Sequence, residues 1–110
     1  MTDQQINTST LIKNEKLRKS VLSNFFENNG RLKHLPSKLK KRLIVLEYLT
    51  NQLDTAKTYS ELELNEIIKA YHDDYATIRR ELFIHKFVNR ENGIYVVNNR
   101  EDWRDWVTLN

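Results

Sequence analysis

The sequence predicts a mainly α-helical domain with one small β-hairpin, and three observations carry that prediction. Segments with apolar residues at helical spacing fill most of the 110 residues, and start or stop signals bound them. Two extended runs, Phe87-Val88-Asn89-Arg90 and Ile94-Tyr95-Val96-Val97, flank Glu91-Asn92-Gly93. An Asn-Gly pair between such runs is the strongest short-range hairpin signal. Only two glycines and one proline interrupt the chain, which leaves little room for long loops.

Residues 1–9 are polar and aperiodic, and are expected to be disordered. Over 10–28, Leu17, Val21 and Phe25 recur one helical turn apart, with Leu22 and Phe26 alongside. Asn28-Asn29-Gly30 stops this amphipathic helix. Pro36 biases His34 and Leu35 away from helix, and Ser37 can cap the helix expected over 38–52. Leu39, Leu43, Val45, Leu46, Leu49 and Leu53 give that helix its inner side. Thr58 and Tyr59 can add a short strand beside the hairpin. Ser60 and Glu63 have the spacing of a capping box for a helix over 61–70, whose apolar face is Leu64, Ile67, Ile68 and Tyr71. Asp73 or Asp74 then caps a helix over 75–86 that turns Ile78 and Leu82 inward. Asn98 or Asn99 can cap a last short helix over 100–109, in which Trp103, Trp106 and Val107 share one face.

The totals exclude several functions. With no cysteine there is no disulfide, thiolate metal site or cysteine nucleophile. No apolar run is long enough to span a bilayer and the first residues carry no secretory signal, so the expected setting is cytoplasmic, away from membranes. The net charge is a modest +3, so its placement matters more than its size. Arg31, Lys33, Lys38, Lys40, Lys41, Arg42 and Lys57 face only Glu47 and Asp54 in the same stretch. That asymmetry can make a basic face that attracts phosphates, and the plain alternative is a solvated helix surface. Lys38, Lys40, Lys41 and Arg42 also oppose the helix dipole where they stand, which suggests a use beyond the helix itself.

His72-Asp73-Asp74, between Tyr71 and Tyr75, is the densest gathering of catalytic residue types. A histidine with carboxylates can act as a general base or hold a divalent metal. A metal site wants several convergent ligands, His34 and His85 have no fixed spacing to this one, and the aspartates are sufficiently explained as caps. Gly30 and Gly93 stand alone, so no phosphate-cradling loop exists. A non-enzymatic protein with no catalytic residue, metal or cofactor is expected. On the helix over 75–86, Thr77, Arg80 and Ile84 project away from Ile78 and Leu82, which makes Arg80 the arginine that reaches a ligand. Arg79 lies nearer the apolar side and is expected to form a structural ion pair with Glu63, Asp73 or Asp74.

Helix, turn, helix, hairpin is the core of a winged helix-turn-helix-like domain, here with flanking N- and C-terminal helices. The expected division is a disordered 1–9, an N-terminal helix within 10–30, a winged-helix-like domain over 31–97, and a C-terminal helix within 98–110 that packs on it. The chain also resembles a bacterial family of unknown function, DUF2087. The matching pieces are Phe25-Phe26, Gly30-Arg31-Leu32, Leu35-Pro36-x-Lys38 with the basic run through Arg42, and Tyr59-x-Glu61-x-Glu63-x-Asn65. They continue with His72-Asp73-Asp74-Tyr75-Ala76-Thr77-x-Arg79-Arg80-Glu81-Leu82 and Arg90-x-x-Gly93-x-Tyr95. The resemblance covers 22–97 and implies a winged-helix-like domain of transcription-related proteins, with no assigned reaction or ligand. Ile84 and Lys86 depart from the pattern, where an acidic residue and a glycine look more usual.

The leading functional expectation is a regulator of transcription that binds double-stranded DNA. Thr77 and Arg80 would meet base edges or phosphates in a major groove, and Arg90 and Asn92 the backbone or minor groove. Lys38, Lys40, Lys41 and Arg42 would neutralise phosphates. The apolar residues of the two terminal helices exceed what the central module requires, so a homodimer is expected. The alternative is a protein-interaction or effector-sensing module of the same shape that does not bind DNA. Glu61, Glu63, Glu66, Asp73, Asp74 and Glu81 favour it, because they would repel a phosphate backbone.

Overall fold

The computed structural model describes residues 8–109. In chain order it has α1 (Thr8–Phe25), α2 (Leu39–Thr50), β1 (Thr58–Ser60), α3 (Glu61–Lys69), α4 (Tyr75–Ile84), β2 (Val88–Glu91), β3 (Ile94–Val97) and a short 3-10 turn at Arg100–Asp102. This is a mainly α domain with a small antiparallel sheet, as the periodicity and the hairpin signal predict.

Helix α1 buries Val21 and leans Leu17, Leu22 and Phe25 on the core. It starts at Thr8, so residues 8 and 9 are helical rather than disordered; the expectation for residues 1–7 lies outside the described residues. The helix ends at Phe25, earlier than the spacing suggests, because the chain doubles back at once. Glu27 N–H donates to Arg31 O at 2.7 Å, Gly30 N–H donates to Glu27 O at 2.9 Å, and Phe26 bridges antiparallel to Leu32.

Helix α2 is apolar on nearly every side, burying Leu43, Ile44, Val45, Leu46, Leu49 and Thr50 against α1 and α4. The buried Thr50 hydroxyl donates to Leu46 O at 2.7 Å and so leaves no orphan. Ser37 does not cap this helix. Lys38 occupies the N-cap with no side-chain cap bond, and a serine one residue further back is too distant from the first free amides.

The sheet has the order β1-β3-β2, all antiparallel. Glu91 pairs with Ile94, leaving Asn92 and Gly93 as a two-residue turn at φ +54° and +78°. Positive φ at both positions is the type I′ turn that Asn-Gly favours. Tyr59 and Tyr95 are register partners and both are buried, whereas Ile94 and Val96 face outward.

The predicted capping box opens α3. Ser60 Oγ accepts from Glu63 N–H at 3.1 Å and Glu63 Oε1 accepts from Ser60 N–H at 2.9 Å. The backbone bond from Ser60, then the Ser60 hydroxyl, holds the Glu63 carboxyl below the usual carboxylate range. Asp74 rather than Asp73 caps α4, its carboxylate accepting from Thr77 N–H at 3.4 Å. Helix α4 stops at Ile84, short of 86, in a Schellman motif. Phe87 N–H donates to Leu82 O at 2.9 Å, Lys86 N–H donates to Phe83 O at 3.2 Å, and Lys86 takes φ +70°. Leu82 and Phe87 are both buried and supply the hydrophobic contact that accompanies the motif.

The C-terminal helix expected over 100–109 does not form beyond the turn at Arg100–Asp102. Its backbone bonds elsewhere: Arg104 N–H donates to His85 O at 3.0 Å, and Asp105 Oδ1 accepts from Val107 N–H at 2.9 Å. Trp103 and Trp106 nevertheless reach the core, while Val107 stays exposed. Trp103 packs on Phe87, with ring centroids 5.2 Å apart.

Lys86 occupies a left-handed position that costs a side-chain-bearing residue free energy. Lys86→Gly should therefore stabilise the fold by about 1 kcal/mol in urea denaturation; an unchanged or lowered midpoint contradicts this. For Glu63, whose folded-state pKa is depressed, the capping contribution is complete above the unfolded-state pKa and is lost as pH falls through the lowered value. A carboxyl NMR titration should show Glu63 titrating below the ordinary glutamate value.

Candidate nucleic-acid interface

Helix α4 buries Ile78 and Leu82 and exposes Ala76, Thr77, Arg80, Phe83 and Ile84 on the opposite side. Among the described residues Arg80 makes no hydrogen bond or ion pair, so its guanidinium is available at the surface. Thr77 and Arg80 share this face, as the helical projection predicts.

The inner side of α4 is fastened to α2. Arg42 Nη1 lies 3.0 Å from Glu81 Oε1, its Nε donates to Pro36 O at 2.9 Å, and its Nη2 donates to Ser37 O at 3.4 Å. His85 Nε2 is 3.3 Å from the same Glu81 oxygen, and the His85 side chain is only 8% exposed. Arg42 is thus committed to a carboxylate and two carbonyls within the fold. Lys40 is also engaged, its Nζ donating to Leu109 O at 2.9 Å. Lys38 and Lys41 are exposed and, among the described residues, unpaired. The four cations read as one phosphate strip therefore divide into inward and outward pairs.

Arg79 is partly buried and bound, but its partners are not those the sequence suggested. Its guanidinium donates to Asn65 Oδ1 and lies 3.9 Å from Glu61 Oε2. Glu63 is taken by the capping box, Asp73 pairs with Arg31 at 2.9 Å, and Asp74 caps α4. Glu61 and Asn65 stand four residues apart, so they share the face of α3 that meets α4. That spacing inside Tyr59-x-Glu61-x-Glu63-x-Asn65 was the available signal.

Glu61 also reaches the hairpin, 3.9 Å from Arg90 Nη2 and accepting from Tyr95 Oη at 3.4 Å. Arg90 lies over the Tyr95 ring at 5.9 Å, and its side chain remains 54% exposed. Asn92 is at the exposed tip. No hydrogen bond or ion pair among the described residues joins Thr77 or Arg80 to Arg90 or Asn92.

His72 is a turn element, its Nδ1 accepting from Asp74 N–H at 2.9 Å. Among the described residues no three His, Asp or Glu side chains converge as a metal site, and no helix is long and apolar enough to cross a membrane.

The fold is thus a small, mainly α domain whose second helix pair is tied together and to its neighbours by internal arginines. A family model described as an uncharacterized protein conserved in bacteria (DUF2087) matches residues 31–97, and the chain belongs to that family. The match runs from the turn before α2 through β3, leaving α1 and residues 98–109 as flanks. No curated protein and no solved structure matches the chain.

The two arginines that bind inward should differ from the one that does not. Arg42→Ala and Arg79→Ala should each cost about 2 kcal/mol in urea denaturation, by removing the partly buried guanidinium that joins α4 to α2 through Glu81 or to α3 through Asn65 and Glu61. Arg80→Ala should stay within about 0.5 kcal/mol of the parent. Similar losses for all three contradict the division.

Proposed function

We propose that the domain is a DNA-binding transcriptional regulator of winged-helix shape, in which α4 enters the major groove. The observation that carries this reading is Arg80, exposed beside Thr77 on the outer face of a helix whose inner face is fastened to the core. A donor held on a rigid helix can meet a base edge without first losing much freedom. The order helix, strand, helix, helix, strand, strand from α2 to β3 supports the winged-helix reading. The hairpin would be the wing, with Arg90 and Asn92 at the backbone or minor groove. Lys38 and Lys41 would meet phosphates, whereas Lys40 and Arg42 serve mainly the fold. We further propose a cytoplasmic homodimer whose contact uses the exposed Leu11 and Ile12 of α1.

A protein-interaction module is the second reading, and a specific observation favours it. Phe83 and Ile84 are 46% and 50% exposed on the same face of α4, and Leu62 of α3 is 69% exposed. Such apolar positions suit a protein partner better than a phosphate backbone.

Fluorescence anisotropy with labelled duplex DNA across a salt series separates the two. DNA binding should weaken steeply with salt, by a log–log slope of about 0.9 per phosphate contact. Lys38→Ala with Lys41→Ala should weaken all sequences alike and flatten the slope. Arg80→Ala should cost about 1–3 kcal/mol on a preferred site and less on random DNA. Failure to bind random or genomic DNA at low salt rejects the regulator reading and leaves the interaction module.

A further inference from the structure

Leu17 of α1, Leu39 of α2 and Leu109 of the tail line a cleft of about 330 Å³, and Lys38, Lys40 and Lys41 complete its lining. All three leucines pack partly buried against the core, so the apolar floor is firm. Three other clefts each include acidic side chains, among them Asp102, Glu27 and Glu47. This one has none, and unlike the acid-free cleft along Thr50, Val97 and Asn99 it carries three lysines. Lys38 and Lys41 are unpaired among the described residues, and Lys40 uses one of its three N–H donors on Leu109 O at 2.9 Å. That bond also draws the tail across to α2.

An apolar floor with a rim of one charge sign is complementary to an amphiphile with a single anionic head. Lysine ammonium groups are compact point charges and do not require the planar geometry that an arginine fork selects. The volume is at the low end of the roughly 300–1,000 Å³ typical of small-molecule pockets, which suits one aliphatic chain rather than two. An amphipathic partner helix would need anchors spread over successive turns, more than three leucines around one cleft provide.

We propose that this cleft binds a medium-chain aliphatic carboxylate. Its chain lies against Leu17, Leu39 and Leu109, and its carboxylate lies among Lys38, Lys40 and Lys41. Leu17 and Leu109 stand outside the family span of residues 31–97, so the site is built by this chain's flanks on a family helix. The proposal does not rest on DNA binding, and a protein that ignores DNA leaves it intact.

Isothermal titration calorimetry on the full chain with decanoate, below its self-association concentration, tests the site, with decanol and acetate as comparators. Decanoate should bind saturably, and both comparators should bind at least about tenfold more weakly because each lacks half of the recognised chemistry. Lys38→Gln with Lys41→Gln, at exposed positions that leave the melting temperature unchanged, should weaken decanoate about tenfold. Leu109→Glu should abolish binding by putting a like charge in the cleft, with a thermal melt checking the fold. Absence of saturable decanoate binding, equal binding of decanol, or unchanged affinity in the double-lysine variant overturns the proposal. Binding of an acidic amphipathic peptide or of anionic vesicles without decanoate binding overturns it in favour of that occupant.

Discussion

Helix α2 is buried on nearly all sides, and this constrains every element that touches it. Two charged residues of that helix, Arg42 and Glu47, have mostly covered side chains, 30% and 18% exposed. A covered charge must be answered by partners or it destabilises the fold. Arg42 is answered by Glu81, which fastens α4. Glu47 is answered from two sides: it accepts from Trp106 Nε1 at 3.2 Å, and Arg18 and Arg100 lie 3.9 and 3.7 Å away. The same carboxylate thus ties α1 and the tail to α2.

A second junction works the same way at the other end of the domain. Glu61 gathers Arg79 from α4 with Arg90 and Tyr95 from the hairpin, while Asn65 takes the other arm of Arg79. Helix α4 is therefore held through Arg42–Glu81 and through Arg79–Glu61, and only its outer face is left to meet anything else. The basic residues separate by role accordingly. Arg42, Arg79 and Lys40 hold the fold, and Lys38, Lys41 and Arg80 are left at the surface. Net charge alone would have credited all of them to a ligand.

Features carried by neighbouring residues were legible before the fold was known. Ser60 with Glu63, Asn92 with Gly93, and Asp74 before α4 each satisfy a local backbone need, and each does so in the structure. Lys86, where the family resemblance leads one to expect glycine, is the αL residue of the motif that ends α4. Features set by distant partners were not legible. The four-residue spacing of Glu61 and Asn65 puts them on one face of α3, but nothing pairs that face with Arg79, and nothing near Arg42 announces Glu81, because those contacts exist only once the helices have packed. The tail shows the same limit: Trp103 and Trp106 have helical spacing, yet the backbone between them bonds to His85 and takes an irregular path. Within the candidate interface, the exposure of Arg80 and Thr77 was readable from helical projection. The withdrawal of Lys40 and Arg42 was not.

The central proposal is that the outer face of α4, with Arg80 at its middle, meets duplex DNA. Titrating duplex DNA into isotopically labelled protein and following backbone amide shifts by NMR tests it residue by residue. The account predicts the largest shifts at Thr77 and Arg80, smaller ones at Arg90, Asn92, Lys38 and Lys41, and little change at Arg42 or Glu81. Shifts concentrated away from α4 and the hairpin, or none at low salt, would contradict it.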